Sequence, residues 1–151
     1  MTKADWYDLY NTMDVKLDEG ATLPSRAHVN DAGYDLYSRE EAVIEPHSWR
    51  VFDIGVHIDL QPGRVGMIKS RSGMNTKRGI TAEGVIDSGF RGSIRVALYN
   101  RSDEPYSVSS GDRIAQLVIL PIYTPVLNLL SEGEDFESSD RGANGFGSTG
   151  R

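Results

Sequence analysis

The chain has 151 residues, of which 38% are hydrophobic, and this size and composition predict a single compact domain. It contains no cysteine, which excludes disulfides, thiol nucleophiles and cysteine-bound metal sites. Its formal net charge of −6 argues against broad nucleic-acid binding, because a non-specific binder of phosphate backbone needs a basic surface. No apolar run approaches the roughly 18 residues of a membrane helix, and the N-terminus lacks the apolar core of a signal peptide. We therefore expect a soluble cytoplasmic protein that binds neither nucleic acid nor membrane.

The first half of the chain shows the spacing of strands. Residues 1–14 carry a few apolar side chains at roughly helical spacing among polar ones, and we assign them to an N-terminal extension. Strict alternation from residue 51 to residue 60 predicts one half-buried strand. Its apolar face would consist of Phe52, Ile54, Val56, Ile58 and Leu60. Pro62 and Gly63 then supply a turn before the apolar run 65–68, which predicts a hairpin.

Short strands continue through the second half. Alternation recurs around residues 94–98 and 114–120, with turn residues between the runs. Only residues 74–78 and 126–130 have a composition compatible with a short helix. Many short strands with frequent turns favour an all-β antiparallel sandwich, jelly roll or barrel, which would span residues 15–130.

The C-terminal segment, residues 131–151, begins with five carboxylates among small polar residues and ends in a glycine-rich tail. The first part predicts a flexible linker. In the tail, glycine N–H groups, Arg141, Ser148 and Thr149 could bind phosphate oxygens, and Phe146 could stack on a ring. A disordered terminus has the same composition, so the tail alone is a weak signal.

The densest basic cluster of the sequence, residues 69–79, follows a strand. Small residues such as Ser72 and Gly73 beside Arg71 make a natural phosphate cradle when a rigid sheet positions them. The spacing of a P-loop is absent, which excludes that mode of phosphate binding. An ordinary basic hairpin loop explains this cluster equally well.

Asp87 directly follows the apolar pair Val85 and Ile86 and precedes a Ser–Gly turn. An acid held at the mouth of a sheet suits a general base that activates water. Hydrolysis of a nucleoside triphosphate otherwise needs mainly Mg²⁺ and donors to the phosphates. An aspartate in this position also serves as a turn former, and the three histidines show no metal-ligand spacing.

Five segments, in order, resemble the five motifs of the trimeric dUTPase family. They are DAGYDLYS at 31–38, RSGM at 71–74, EGVIDSGFRG at 83–92, GDRIAQLVI at 111–119 and RGANGFGSTG at 141–150. The resemblance covers the chain from about residue 15 to the end. It implies a jelly-roll subunit with a flexible C-terminal arm, and a homotrimer whose sites are shared between subunits. The implied reaction is the hydrolysis of dUTP to dUMP and pyrophosphate, which keeps uracil out of DNA and supplies dUMP for thymidylate synthesis.

The resemblance also implies individual roles. Asp87 would activate the water that attacks the α-phosphorus, with Mg²⁺ as cofactor, and Asp35 would contact the metal through water. Phe90 would pack under the sugar, in a place where tyrosine is commoner. The substrate-binding residues would be Arg71, Ser72, Gly73, Thr81, Gly84, Ile86, Phe90, Gln116, Arg141, Phe146, Gly147, Ser148 and Thr149. The tail would act as a lid, with Phe146 stacked on the uracil.

Three alternatives compete with this interpretation. A dCTP deaminase resembles the chain at IDSGF, 86–90, but it needs a glutamate where Ala97 stands, so the proton shuttle for deamination is missing. A regulatory protein that uses the same trimer is disfavoured as the sole role, because the motif residues are intact. A β-sandwich with no specific enzymatic function would explain the strands but would leave the glycine-rich tail unexplained.

Overall fold

Short strands dominate residues 11–144, which are the residues that the computed structural model describes. The strands are β1 (Asp14–Leu17), β2 (Gly33–Tyr37), β3 (Ala42–Ile44), β4 (Ser48–Asp53), β5 (Val56–Asp59), β6 (Arg64–Lys69), β7 (Ile80–Asp87), β8 (Arg95–Asn100), β9 (Tyr106–Val108) and β10 (Arg113–Pro121). One helix, α1 (Ser72–Arg78), lies between β6 and β7. β1 begins at Asp14, inside the segment that the sequence assigned to an extension.

The main sheet has six strands in the order β2-β10-β6-β7-β8-β4, and all its pairings are antiparallel. Two small antiparallel sheets, β1-β5 and β3-β9, complete the structure. This architecture confirms the predicted all-β antiparallel class, and the curled sheet is that of a jelly roll. No helix within residues 11–144 has the length and apolar character needed to cross a membrane.

Alternating side chains of the strands build the core. The largest fully buried side chains include Phe52, Leu36, Ile54, Leu60, Leu98 and Leu117. A buried polar residue, Asn100, is fully satisfied: its amide nitrogen donates to the carbonyls of Ile44 and Glu104, and its Oδ1 accepts from Ser102. Hydrogen bonding removes the cost of burying that amide, so Asn100 ties the β8–β9 turn to β3.

The predicted strand 51–60 is two strands. The face predicted to be apolar is buried as expected, but β4 ends at Asp53 and β5 begins at Val56. Gly55 adopts a φ of 67°, which a strand cannot accommodate and which glycine adopts without steric cost. Alternation fixed which side chains are buried, because the period of two continues through the break.

The prediction of a hairpin at Pro62 and Gly63 is wrong. β5 pairs with β1, and β6 pairs with β10 and β7, so the chain leaves one sheet and enters another at this turn. Turn residues specify that the chain reverses, but long-range packing selects the partner of each strand.

One of the two helix-compatible segments forms a helix. α1 spans Ser72–Arg78, buries Met74, and ends at Gly79 in the left-handed conformation with φ 66°. Residues 126–130 form no helix, and Val126, Leu127 and Leu129 are almost fully exposed. Without a surface to bury its apolar side chains, so short a segment gains too little to fold as a helix.

Candidate active site

A basic cleft of about 580 Å³ opens beside α1 and the edge of the main sheet. Its walls come from β2, β10, the start of α1 and the loop that precedes β2. The residues that line it are Ala27, Asp31, Ala32, Gly33, Asp35, Arg71, Ser72, Gly73, Met74, Lys77, Arg78, Tyr106, Arg113 and Gln116. Four cations in one concave surface of an acidic protein make this cleft suited to an anion.

Strand pairing brings three sequence motifs together in the basic cleft. Asp35 on β2 lies opposite Gln116 on β10, and Gln116 lies opposite Lys69 at the end of β6. The Gln116 side chain donates from Nε2 to the carbonyl of Ser70 at 2.9 Å, which fixes its orientation. Gly33 leaves room for it, since a Cβ there would stand 2.4 Å from Oε1 of Gln116.

Asp35 is one of the two carboxylates that line this cleft, and the other is Asp31. Its Oδ1 accepts from Nε of Arg71 at 3.1 Å, and its Oδ2 lies 3.5 Å from NH1 of Arg113. The carboxylate is only 18% exposed, so these ion pairs are better shielded from solvent than surface pairs. Since a guanidinium has five donors, Arg71 and Arg113 keep donors for a second anion.

The cleft fits a metal that stays hydrated. Within residues 11–144 no three His, Asp or Glu side chains cluster closely enough to hold a metal ion. Mg²⁺ usually keeps several waters and binds through one or two carboxylates plus substrate phosphates. Asp35 offers a single carboxylate in a cleft with room for phosphates, and this donor set suits contact through water.

Tyr106 also lines the basic cleft. Burial raises the pKa of its phenol above the ordinary value, and the nearby Asp112 carboxylate acts in the same direction. The phenol therefore remains neutral at physiological pH and keeps its O–H as a donor.

A second concavity, the β7–β8 gap, lies where the hairpin of β7 and β8 opens. The two strands pair only from Ile80–Asn100 to Ala82–Leu98, whereas β7 stays paired with β6 as far as Asp87. Between the diverging strands is a space of about 230 Å³. Its lining consists of Ile68, Gly84, Val85, Ile86, Asp87, Phe90, Ser93, Ile94 and Arg95. Residues 83–87 of β7 therefore do not pair with β8.

Asp87 and Phe90 stand at one end of the β7–β8 gap. The Phe90 ring covers Gly92, where a Cβ would lie 2.6 Å from the ring Cζ. The Phe90 amide donates to the Asp87 carbonyl at 3.0 Å and closes a tight turn. No hydrogen bond or ion pair from residues 11–144 reaches the Asp87 carboxylate, which is exposed and able to accept from water.

The sequence-predicted site residues thus fall into two groups. Asp35, Arg71, Ser72, Gly73 and Gln116 line the basic cleft. The other group, Gly84, Ile86, Asp87 and Phe90, lines the β7–β8 gap, and no residue lines both.

The other six predicted site residues belong to neither group. Thr81 lines a neighbouring cleft with Tyr99 and Arg101. Arg141 is exposed and donates from Nε to the Asn144 carbonyl at 2.9 Å, within its own turn. Phe146, Gly147, Ser148 and Thr149 lie outside the described residues.

Several residues that line the basic cleft and the β7–β8 gap were not predicted from the sequence. Arg113 and Tyr106 line the basic cleft, and Arg95 lines the gap. Arg113 stands inside the GDRIAQLVI motif, where a charge at the start of an apolar strand was an available signal. Lys69, part of the predicted basic cluster, instead pairs with Glu83 at 2.8 Å and lowers the pKa of that carboxyl.

Comparisons with known proteins agree with this architecture. The dUTPase family model matches residues 19–150. Deoxyuridine 5'-triphosphate nucleotidohydrolase of Yarrowia lipolytica is 42% identical over 135 residues, which cover 89% of this chain and 85% of the relative. The dUTPase of Staphylococcus bacteriophage 80alpha with dUpNHpp is 36% identical, with a TM-score of 0.86 over 93% of this chain and 99% of that one. A mutant dUTPase of phage phi11 of S. aureus, solved to describe a structural Mg(II) ion, is 33% identical, with a TM-score of 0.76 over 83% of this chain and 100% of that one.

Sequence and fold similarity over nearly the whole described chain define the protein as a nucleotide hydrolase with a jelly-roll fold. Within that class, the chain belongs to the dUTPase family and is an enzyme that hydrolyses dUTP.

Proposed function

We propose that the enzyme cleaves dUTP to dUMP and pyrophosphate by attack of water on the α-phosphorus, with Asp87 as the general base. The observation that carries this proposal is the exposed Asp87 carboxylate at the mouth of the β7–β8 gap, which pairs with no side chain among residues 11–144. The water oxygen forms a bond to the α-phosphorus, and the bond from that phosphorus to the α,β-bridging oxygen breaks. One water proton passes to Asp87, and pyrophosphate leaves with the electron pair.

The β7–β8 gap is the proposed nucleoside pocket. Uracil would present its donor and acceptor edge to the backbone of residues 83–87, which is unpaired on that side. Gly84 and Ile86 lie on this stretch, and the exposed Phe90 ring stands beside it to pack under the sugar. A narrow gap of this kind would reject the methyl group of thymine by shape, and the ring would leave no room for a ribose 2′-hydroxyl.

The basic cleft is the proposed phosphate site. Arg71, Ser72 and Gly73 would bind phosphate oxygens, and Gln116 would orient water, because their donors converge on one concave surface. Mg²⁺, held by the substrate phosphates and through water by Asp35, would neutralise phosphate charge. Thr81 and the tail residues Arg141, Phe146, Gly147, Ser148 and Thr149 would complete the site around a bound nucleotide.

Replacement of Gly33 by alanine tests the packing of the proposed phosphate site. The added Cβ would force the Gln116 side chain away from its position against Ser70. We expect kcat/KM for dUTP to fall severalfold, with a stability loss of about 1–3 kcal/mol from overpacking. Gly89→Ala, which adds a Cβ to open space, is the matched control for stability. Parental kinetics in Gly33→Ala would show that the position of Gln116 does not matter for turnover.

The separation of the two concavities supports a homotrimer with shared sites. A substrate would have to touch the proposed base and the proposed phosphate site at once, whereas within residues 11–144 of one chain the two concavities share no lining residue. The chain also exposes apolar side chains of the kind that subunit contacts cover. They include Trp49, Val51, Tyr99 and Val85 on the main sheet, and Tyr123, Val126, Leu127 and Leu129 after β10.

Complementation between two inactive variants tests the shared site. When Asp87→Asn and Arg71→Ala chains are co-expressed with different tags, a mixed trimer can join the intact Asp87 of one chain to the intact Arg71 of another. Each mixed trimer would then have about one restored site in three, which is about a quarter of all sites after random mixing at equal amounts. Turnover of the purified mixed species is compared with that of each variant alone. Absence of recovery in a verified mixed oligomer would mean that each chain builds its own site.

The reaction itself is tested by parallel assays of dUTP, dCTP, dTTP and UTP, with and without Mg²⁺, with chromatographic identification of each product. We expect Mg²⁺-stimulated conversion of dUTP to dUMP and pyrophosphate, with little turnover of the other three. Deamination of dCTP would contradict the argument from Ala97. We propose that the enzyme acts on the cytoplasmic nucleotide pool, where it would keep uracil out of DNA and supply dUMP for thymidylate synthesis.

A further inference from the structure

The loop between β7 and β8, residues 88–93, carries Phe90 and follows Asp87. This Phe90 loop is fastened to β5 mainly through Arg91. The Arg91 guanidinium pairs with Asp59 at 2.6 Å and donates to the Ser88 carbonyl at 2.6 Å. The Arg91 carbonyl lies 2.8 Å from Nδ1 of His57. The position of Phe90 therefore depends on a side chain from another strand.

Both ring nitrogens of His57 face acceptors. Nδ1 faces the Arg91 carbonyl, and Nε2 lies 3.1 Å from Oδ1 of Asp18. Because a carbonyl and a carboxylate can only accept, each contact requires a hydrogen on the ring nitrogen. A neutral imidazole has one N–H and would turn a lone pair toward the other acceptor. Only the imidazolium satisfies both contacts.

Several charged groups surround this half-buried ring. They are Lys16, Asp18, Arg39, Asp59 and Arg91. The hydrogen bond to the Arg91 carbonyl raises the pKa of His57 above 6.5, and the hydrogen bond to Asp18 adds to it, while Lys16 opposes them. The folded chain thus binds the proton more tightly than the unfolded chain. The double contact is complete below about pH 6.5 and is lost as pH rises through the higher pKa of the folded state.

The geometry points to His57 as a positioning residue: its imidazolium holds the Phe90 loop at β5 and thereby sets the shape of the nucleoside pocket. This inference rests on the proposed function, since it uses Phe90 as the sugar contact. After loss of one proton the ring keeps a single N–H, and the charged Asp18 carboxylate attracts it more strongly than the neutral Arg91 carbonyl does, so the tie to the loop is the contact that is lost. The pocket then loosens, and dUTP binds less well on the alkaline side.

Two substitutions separate the tie to the loop from the charge. The amide of His57→Gln reaches toward Asp18, so the bond to Arg91 is lost at every pH. The shorter amide of His57→Asn stands where Nδ1 stands and keeps a donor for the Arg91 carbonyl without a titrating group. His47→Asn is the control, because His47 also contacts an aspartate, Asp103 at 2.8 Å, but on an exposed turn.

We expect KM for dUTP in the parent and in His47→Asn to rise roughly three- to tenfold between pH 6 and pH 9, because a charge-assisted hydrogen bond is lost. His57→Gln should show the high KM throughout, and His57→Asn a low KM that changes little with pH. Ionisation of the substrate affects all four proteins equally. Parental pH dependence in His57→Gln would overturn the inference, whereas a parent that does not turn over dUTP would instead refute the proposed function.

Nitrogen NMR of the intact parent protein gives a test that needs no variant and no turnover. Both ring nitrogens of His57 should still carry protons at pH 6.5, because its two contacts raise the pKa of the ring above that value. A neutral His57 ring at pH 6.5 would overturn the inference.

Discussion

Asp87→Asn should leave dUTP binding nearly unchanged while kcat falls by about 10²- to 10⁴-fold, which is the usual contribution of a general base. The amide has the size of the carboxylate but cannot accept the water proton. Phosphate and nucleoside contacts are untouched, because no hydrogen bond or ion pair within residues 11–144 depends on the Asp87 side chain. Binding is measured with a non-hydrolysable dUTP analogue and turnover by pyrophosphate release.

Glu83→Gln is the matched control for Asp87→Asn. Glu83 lies on the same strand and is also an exposed carboxylate, but it pairs with Lys69 and lies in a different cleft from Asp87. The Glu83→Gln variant should retain most of the turnover of the parent. A kcat of Asp87→Asn within a few-fold of the parent would remove Asp87 as the base, and a large loss of binding would assign it to substrate contact instead.

Removal of residues 141–151 should leave a folded protein whose kcat/KM is lower by roughly 100-fold or more, since a lid that excludes water and completes the site is lost. The core is expected to be unaffected, because within residues 11–144 the last strand ends at Pro121 and all buried core residues lie before it. Thermal unfolding and oligomer mass should match those of the parent. Turnover is measured with saturating Mg²⁺ to keep the metal from limiting it.

A second variant separates the chemistry of the tail from its length. Arg141→Ala combined with Phe146→Ala keeps the whole chain but removes the proposed phosphate fork and the stacking ring. It should reproduce most of the loss seen on truncation. Full activity in the truncated protein would contradict the lid, and full activity in the double variant alone would assign the effect to the glycine and hydroxyl groups of the tail.

The fold class and one buried face of the core could be predicted from the amino-acid sequence alone. A period of two depends only on local backbone geometry, so Phe52, Ile54, Val56, Ile58 and Leu60 are buried as their spacing predicts. The family was also readable, because ordered motifs are properties of neighbouring residues. Of the two segments with helix-compatible composition, 74–78 lies in the observed helix and 126–130 does not form one.

The pairing of the strands and the long-range contacts between side chains could be seen only in the three-dimensional structure. Pro62 and Gly63 predict a turn, yet β5 pairs with β1 and not with β6, because packing over long sequence distances selects strand partners. The ion pairs of Asp35 with Arg71 and Arg113, and the contact of His57 with the Arg91 carbonyl, join residues more than 30 positions apart. Such contacts leave no periodic trace in the sequence, since they depend on how the strands are arranged in three dimensions.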